Sequence, residues 1–181
     1  MSHLSPMARE QLSDFEARFA TIEATGAVVP NSMLTMGRAP DVLSAYLDLS
    51  GAVYKAGEVP ADLKRLVAHV ASRASGCQYC AAHNGARARL LGVADDKLAA
   101  VWAAETSTLF TEAERAALRL AVQSAQRPNE VDQATFVDLR RHFSETGIVE
   151  LVAVVALAAF TNRWNDTFAT DMEPEISSAL A

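Results

Sequence analysis

Two cysteines stand close together in this chain, and a histidine follows them. Cys77 and Cys80 are the only cysteines among the 181 residues, and His83 comes three residues after Cys80. Thiols separated by two residues lie on adjacent turns of one helix face, where they can form a disulfide with little backbone movement. An imidazole at i+3 can reach the second sulfur as a proton donor or acceptor. The spacing predicts a redox-active cysteine pair assisted by His83.

The residues before the pair predict the start of a helix. Ser75 is a good N-cap and Gly76 tolerates a sharp turn, so Cys77 is expected in the first helical turn. Free backbone N–H groups and the positive end of the helix dipole favour a thiolate at that position. On this argument Cys77 is the more acidic and more exposed thiol, whereas Cys80 has the histidine.

Two other interpretations of the pair stay open. A closed zinc site needs four ligands, and only Cys77, Cys80 and His83 are clustered. A buried, inert pair of cysteines is the second alternative. A thioredoxin-type oxidoreductase needs a βαβ context, and no strand pattern precedes Cys77. We expect no metal and no other cofactor.

Composition limits the class of protein. Half of the residues are apolar and the formal net charge is -6, with no cluster of Lys and Arg to offset it. This balance argues against a nucleic-acid or anionic-membrane surface. The first nine residues lack the apolar core and basic start of a signal peptide, so we expect a cytoplasmic protein. In a reducing compartment a lone Cys-x-x-Cys pair favours catalysis over structure.

Apolar periodicity and helix-boundary residues predict an all-α fold in a single domain. The expected helices are Pro6 to Ala24, Pro40 or Asp41 to Gly57, Ala61 to Arg73, Cys77 to Leu91, Asp95 to Ala103, Thr111 to Arg127, Asp132 to His142, and Ser144 or Glu145 to Phe168. The last contains Ile148 to Phe160, which is apolar except for Glu150. Thirteen residues are too few to span a bilayer, so this segment is expected to be a core or interface helix. Its carboxylate is expected near the surface or in an ion pair.

The chain also shows a weak internal repeat. A shift of 85 residues lays Leu63 to His83 over Ile148 to Phe168, with Cys80 on Asn165 and Arg65 on Glu150. The repeat halves would be about 40–92 and 111–170. If the duplication is real, pseudo-symmetric packing is expected to bring Arg65 and Glu150 together as a buried pair.

The motif and its surroundings resemble a known family. The segment from Pro60 to Gly92, with Gly76-Cys77-Gln78-Tyr79-Cys80 and a nearby histidine, looks like the core of the AhpD-like, carboxymuconolactone decarboxylase superfamily. The downstream segment Asn162-Arg163-Trp164-Asn165-Asp166 is similar to the C-terminal part of its peroxidase-related members. The resemblance implies an all-α, AhpD-like multi-helix bundle that forms homo-oligomers, namely dimers, trimers or hexamers. It also implies a thiol-dependent hydroperoxide reductase.

The resemblance assigns roles to the two thiols. The second cysteine of the family, here Cys80, is the one that peroxide oxidises, and the first, here Cys77, resolves it as a disulfide. An external thiol reductant would then reduce the disulfide. No nucleic acid or membrane partner is expected.

This chain departs from the family pattern at two positions. The family histidine lies four residues after the second cysteine, where this chain has Asn84. The family glutamate lies twelve residues before the first cysteine, where this chain has Arg65. We therefore consider His69 and Glu150 as substitute bases. The supporting candidates are Glu150, Arg65, His69, Asn84 and Tyr79.

Two other functions remain open at the level of sequence. One is acid/base chemistry of the carboxymuconolactone decarboxylase type, for which the thiols would be dispensable. The other is a non-catalytic redox-sensing oligomer, in which the disulfide closes without turnover.

Overall fold

The structure is a computed structural model that describes residues 2–178, and within this range the chain forms helices and turns with no strand. This confirms the predicted all-α fold. Two short 3₁₀ helices lie at Arg9–Phe15 and Val101–Ala103. The α-helices are α1 (Glu16–Glu23), α2 (Asn31–Met36), α3 (Pro40–Tyr54), α4 (Ala61–Ala74), α5 (Gln78–Leu90), α6 (Asp95–Ala99), α7 (Glu112–Ala125), α8 (Gln133–Leu139), α9 (Glu145–Phe168) and α10 (Pro174–Ser178).

Several helix starts follow from local capping. The Thr111 hydroxyl accepts the backbone N–H of Glu114, and the Glu114 carboxylate accepts the N–H of Thr111, so the two residues form a capping box. Asp132 and Ser144 cap α8 and α9 through their side-chain oxygens. Pro40 is the first residue of α3, where its missing N–H costs no helical hydrogen bond.

The N-terminal segment differs from the prediction. In place of one helix from Pro6 to Ala24, a 3₁₀ helix and α1 meet end to end, and Leu12 has non-helical dihedral angles. Leu12 and Phe19 nevertheless bury their side chains against apolar residues of α2 and α3. Tertiary packing of these apolar residues therefore overrides the continuous helical period.

The main core lies between α4, α5, α7 and α9. Leu66, Val67 and Val70 of α4 are almost fully buried, as are Leu120 of α7 and Leu151 of α9. Helices α4 and α9, which the internal repeat would relate, pack directly against each other. The duplication itself stays a prediction. The core fixes the position of α5, which carries the cysteine motif.

Helix α9 is long and apolar enough to cross a membrane by length and composition alone. It packs against α3, α4, α5 and α7 within the bundle, so we interpret it as the central helix of the core. One face of the helix stays uncovered, and Val149 on that face is 67% exposed.

The predicted Arg65–Glu150 pair is wrong. Glu150 accepts the backbone N–H of Val59 and lies 3.1 Å from the ammonium group of buried Lys64. Arg65 instead donates to the side-chain oxygen of Asn84, at 3.2 Å. Lys64 and Arg65 are neighbours on one helix and therefore point in different directions, and the repeat alignment could not show which of them faces α9.

Candidate functional site

The cysteine motif begins α5, but its cap differs from the prediction. Ser75 is the residue that ends α4, and Gly76, with φ of +83°, turns the chain towards α5. Cys77 itself is the N-cap, and its sulfur accepts the backbone N–H of Cys80 at 3.5 Å. Both cysteines are free thiols, and both are buried.

The two thiols have opposite shifts in acidity. The neighbouring Cys77 thiol lowers the pKa of Cys80. The contact with Cys80, together with burial, raises the pKa of Cys77. The expectation that Cys77 is the more acidic and more exposed thiol is therefore wrong, because Cys77 is 1% exposed and its pKa is raised. Cys80 is the residue that favours a thiolate.

Helix α9 supplies further support for a charged sulfur on Cys80. The side-chain amide of Asn165 donates to the Cys80 sulfur at 3.2 Å and to the backbone oxygen of Thr161 at 2.9 Å. The hydrogen bond from Asn165 lowers the pKa of Cys80. A donor to the charged form stabilises that form, so a residue of α9 favours a thiolate on α5.

His83 has a carboxylate partner that the sequence interpretation did not include. Its Nε2 lies 2.6 Å from Oε2 of Glu173, and Oε1 of Glu173 accepts the hydroxyl of Tyr79, also at 2.6 Å. Glu173 precedes α10 and also accepts the backbone N–H of Asn31. These contacts, led by His83, outweigh burial and lower the pKa of Glu173.

The ionised carboxylate determines the tautomer of His83. A carboxylate only accepts hydrogen bonds, so Nε2 of His83 must carry a proton. In the neutral imidazole, Nδ1 is then the free base. Tyr79 packs on the same ring, with centroids 4.5 Å apart, and so helps to hold its orientation.

Cys80 and His83 line one cavity of about 400 Å³. Such a volume suits a small molecule and not a protein segment. The other residues of the cavity wall that bear on function are Arg18, Tyr46, Tyr54, Arg65, Tyr79, Asn84, Arg87, Thr161 and Asn165. Cys77 does not line the cavity, so of the two thiols only Cys80 faces it.

The supporting candidates fall into two groups. Tyr79, Asn84 and Arg65 line the cavity, and the Asn84 amide donates to the backbone oxygen of Cys80 at 3.0 Å. His69 and Glu150 do not line it. His69 is held against the backbone oxygen of Ala81 at 2.8 Å, and burial lowers its pKa. Glu150 is used by the Lys64 contact described above, so the structure places neither substitute base at the thiols.

Within residues 2–178, no group of three or more His, Cys, Asp or Glu side chains is arranged to hold a metal ion. The zinc interpretation therefore has no ligand set in this part of the chain. His83, its nearest nitrogen ligand in sequence, is instead hydrogen-bonded to Glu173.

Two site residues had weak signals in the sequence. Asn165 is the position that the 85-residue shift lays over Cys80, and the two side chains are in direct contact. Glu173 stands immediately before Pro174, a pattern typical of a helix start. That pattern could have predicted that Glu173 directly precedes a helix but not its contact with a residue 90 positions earlier.

Comparisons with known proteins agree with this architecture. The sequence profile of the carboxymuconolactone decarboxylase family matches residues 40–123. The uncharacterized protein YnjA of Escherichia coli (strain K12) is 32% identical over 89 residues, and the match spans about half of each protein, 49% in both cases.

Solved structures extend the likeness to nearly the whole chain. The debrominase Bmp8 is 32% identical, with a TM-score of 0.89 over 98% of this chain and 95% of that one. A cysteine-to-alanine variant of Bmp8 in complex with 2,3,4-tribromopyrrole has a TM-score of 0.90. An uncharacterized peroxidase-related protein from Ralstonia eutropha JMP134 with an AhpD core shares the fold at 24% identity, with a TM-score of 0.76 over 91% of this chain and 87% of that one. This chain belongs to the AhpD-like, carboxymuconolactone decarboxylase superfamily.

Proposed function

We propose that this protein is a thiol-dependent reductase in which Cys80 attacks an electrophilic atom of a small molecule and Cys77 resolves the product as a disulfide. The observation that carries the proposal is the geometry of the cysteine pair: the Cys77 sulfur accepts the backbone N–H of Cys80 at 3.5 Å, and the Cys80 sulfur, which lines the cavity, accepts the Asn165 amide at 3.2 Å. The Asn165 donor favours a thiolate on Cys80, and Cys77 lies beside it as the second thiol. A hydroperoxide is the substrate class that the superfamily favours.

The first step is attack on the peroxide bond. The Cys80 thiolate attacks the terminal oxygen of the hydroperoxide and displaces the alkoxide, so the S–O bond forms as the O–O bond breaks. The leaving alkoxide takes a proton and departs as an alcohol, or as water when hydrogen peroxide is the substrate. His83 is the proton carrier at the cavity wall, and Glu173 holds its ring through the contact with Nε2.

The second step closes the disulfide. Cys77 attacks the sulfenic acid of Cys80 and releases water, with the Cys77 proton leaving in the process. Because burial raises the pKa of Cys77, this thiol is a poor nucleophile until Cys80 is oxidised and becomes its target. An external thiol must then reduce the Cys77–Cys80 disulfide to complete the cycle.

The test compares two single-thiol variants during hydroperoxide consumption with dithiothreitol as reductant. Cys80→Ser should abolish consumption. Cys77→Ser should instead accumulate a sulfenic acid at Cys80 that dimedone traps and peptide mass spectrometry locates. Full activity in Cys80→Ser would refute the assignment, as would trapping at neither cysteine.

Reductive dehalogenation of an aromatic ring is a second candidate, favoured by the likeness to the debrominase Bmp8 over 98% of this chain. The Cys80 thiolate would take the halogen, the ring carbon would gain a proton, and Cys77 would release halide as the disulfide forms. Tyr46 and Tyr54, which line the cavity together with Tyr79, provide aromatic walls for such a ring. Bromide release from 2,3,4-tribromopyrrole that depends on Cys80 would distinguish this candidate from peroxide reduction.

The remaining alternatives predict different responses to thiol chemistry. An acid/base decarboxylase would keep its activity after alkylation of Cys80, whereas both reductase candidates would lose it. A redox-sensing oligomer would consume one equivalent of oxidant without turnover. Self-association is part of our proposal, because α9 leaves the apolar side chains of Val149, Val152 and Phe160 exposed. A cytoplasmic location suits an enzyme that depends on a cellular thiol reductant.

A further inference from the structure

The charged side chains of the Cys80 cavity have one sign. Four cationic residues line it, and no Asp or Glu does so among the described residues: the cations are Arg18, Lys55, Arg65 and Arg87. The chain as a whole carries a net charge of -6, so this distribution is opposite to that of the rest of the surface. A cavity lined by one sign of charge attracts ligands of the other sign.

Three of these cations, Lys55, Arg65 and Arg87, have no carboxylate partner within residues 2–178. Arg65 donates to the amide oxygen of Asn84 and stacks on the ring of Tyr54, with its guanidinium carbon 3.4 Å from the ring centroid. Arg87 has only a long contact, 3.5 Å, with the backbone oxygen of Val28. Arg18 differs, because it forms an ion pair with Asp48 at 2.5 Å.

Holding two half-buried guanidinium groups near each other is unfavourable unless an anion joins them. Burial, and then the charge of Arg65, lower the pKa of Arg87 to about 10, so the two groups repel each other. An arginine side chain keeps its charge in proteins. The Cys80 sulfur is not the missing anion, because its stabilising partners are Cys77, Asn165 and Thr161. The positive charge is therefore available to a ligand.

We propose that Arg65 and Arg87 form an anion-binding subsite beside Cys80, and that the substrate is a small molecule with an apolar body and one carboxylate or comparably delocalised oxyanion. A planar guanidinium group pairs with a carboxylate through two parallel hydrogen bonds. Tyr46, Tyr54 and Met33 provide the apolar wall for the rest of the molecule. That this ligand is the substrate rests on the proposed function, whereas the binding of an anion does not.

Binding without turnover tests the subsite. In the Cys80→Ala protein, isothermal titration calorimetry would compare naphthalene-2-carboxylate with its neutral isostere, naphthalene-2-carboxamide. We expect the carboxylate to bind at least about tenfold more tightly, as for hydrogen bonds to a charged group. Arg87→Gln and Arg65→Gln should each remove most of this preference, and circular dichroism would verify that both variants fold.

Arg18→Gln is the matched control, because Arg18 lines the same cavity but is already paired with Asp48. It should leave the preference for the carboxylate intact. Equal affinities for the two probes, no binding of the carboxylate at millimolar concentration, or an equal loss in Arg18→Gln would each overturn the proposal. Thiol-dependent turnover of hydroperoxide by the unmodified protein would be unaffected by those outcomes, so the two proposals can fail separately.

Discussion

Replacing Asn165 by leucine should slow the reaction of Cys80 at neutral pH and accelerate it at high pH. The Asn165 amide donates to the Cys80 sulfur at 3.2 Å, and leucine has a similar size but no donor. The variant therefore removes one hydrogen bond from the thiolate without opening a large cavity next to it. Asn162→Leu is the matched control, since Asn162 is also buried on α9 but has no hydrogen-bond partner among the described residues.

The size of the expected change in rate follows from the loss of one hydrogen bond to the Cys80 sulfur. A bond to a charged group contributes about 1.5–3 kcal/mol. Sulfur is a weak acceptor, so we take the lower end, which corresponds to a rise of about one pKa unit for Cys80. Below both pKa values the thiolate fraction then falls about tenfold, while the more basic sulfur becomes about threefold more nucleophilic. The net rate should fall about threefold at low pH and rise about threefold above both pKa values.

The assay is the rate of alkylation by iodoacetamide as a function of pH, with the adduct on Cys80 quantified by peptide mass spectrometry. Rate profiles of the wild-type and Asn165→Leu proteins should cross, whereas the Asn162→Leu profile should follow that of the wild type. A variant that is slower at every pH would indicate blocked access and not a changed acidity. Coincident profiles for Asn165→Leu and wild type would refute the role that we give to Asn165.

Three further predictions concern stability and assembly. Glu173→Gln should destabilise the fold by about 1–3 kcal/mol at neutral pH, measured by urea unfolding, because His83 loses a charged partner. The folded state lowers the pKa of Glu173, so its carboxylate contributes stability that is fully present above the ordinary pKa of 4.5 and is lost as the pH falls through the lowered pKa. Melting temperatures of the wild type should therefore fall more steeply in acid than those of Glu173→Gln. Lys64→Ala should lower the free energy of unfolding by about 3 kcal/mol in the same assay, because it leaves Glu150 without its cation. A loss below about 0.5 kcal/mol would contradict a stabilising role for the Lys64–Glu150 pair. Val149→Asp should lower the mass of the particle seen by light scattering if the exposed face of α9 is the self-association surface, and an unchanged mass would exclude that surface.

The helices were predictable where the signals for them are local. The capping box at Thr111, the caps at Asp132 and Ser144, and Pro40 at the start of α3 all act within one helical turn. The N-cap of α5 was misplaced by two residues because Ser75 and Cys77 are both plausible caps. Which of the two residues caps the helix depends on the turn at Gly76, and the surrounding helix bundle determines the conformation of that turn.

The acidity of the thiols could not be predicted from the helix start alone. The dipole argument treats Cys77 as an exposed first-turn residue, whereas it is the buried N-cap and packs in a cluster that includes Met172. The groups that contact Cys80 and His83, namely Asn165 and Glu173, come from distant parts of the chain. Such contacts depend on packing between helices, and the spacing of residues within one helix does not encode them.

The segment after α9 gives the site an unusual vulnerability. Glu173 and the short helix α10 are attached mainly to α5, outside the four-helix core that holds the bundle together. A protease that cut at exposed Asp171 would remove the carboxylate from His83 while leaving every core helix in place. Preparations of this protein could therefore look fully folded by spectroscopy and yet have lost the group that orients the imidazole, so intact mass is worth measuring before activity.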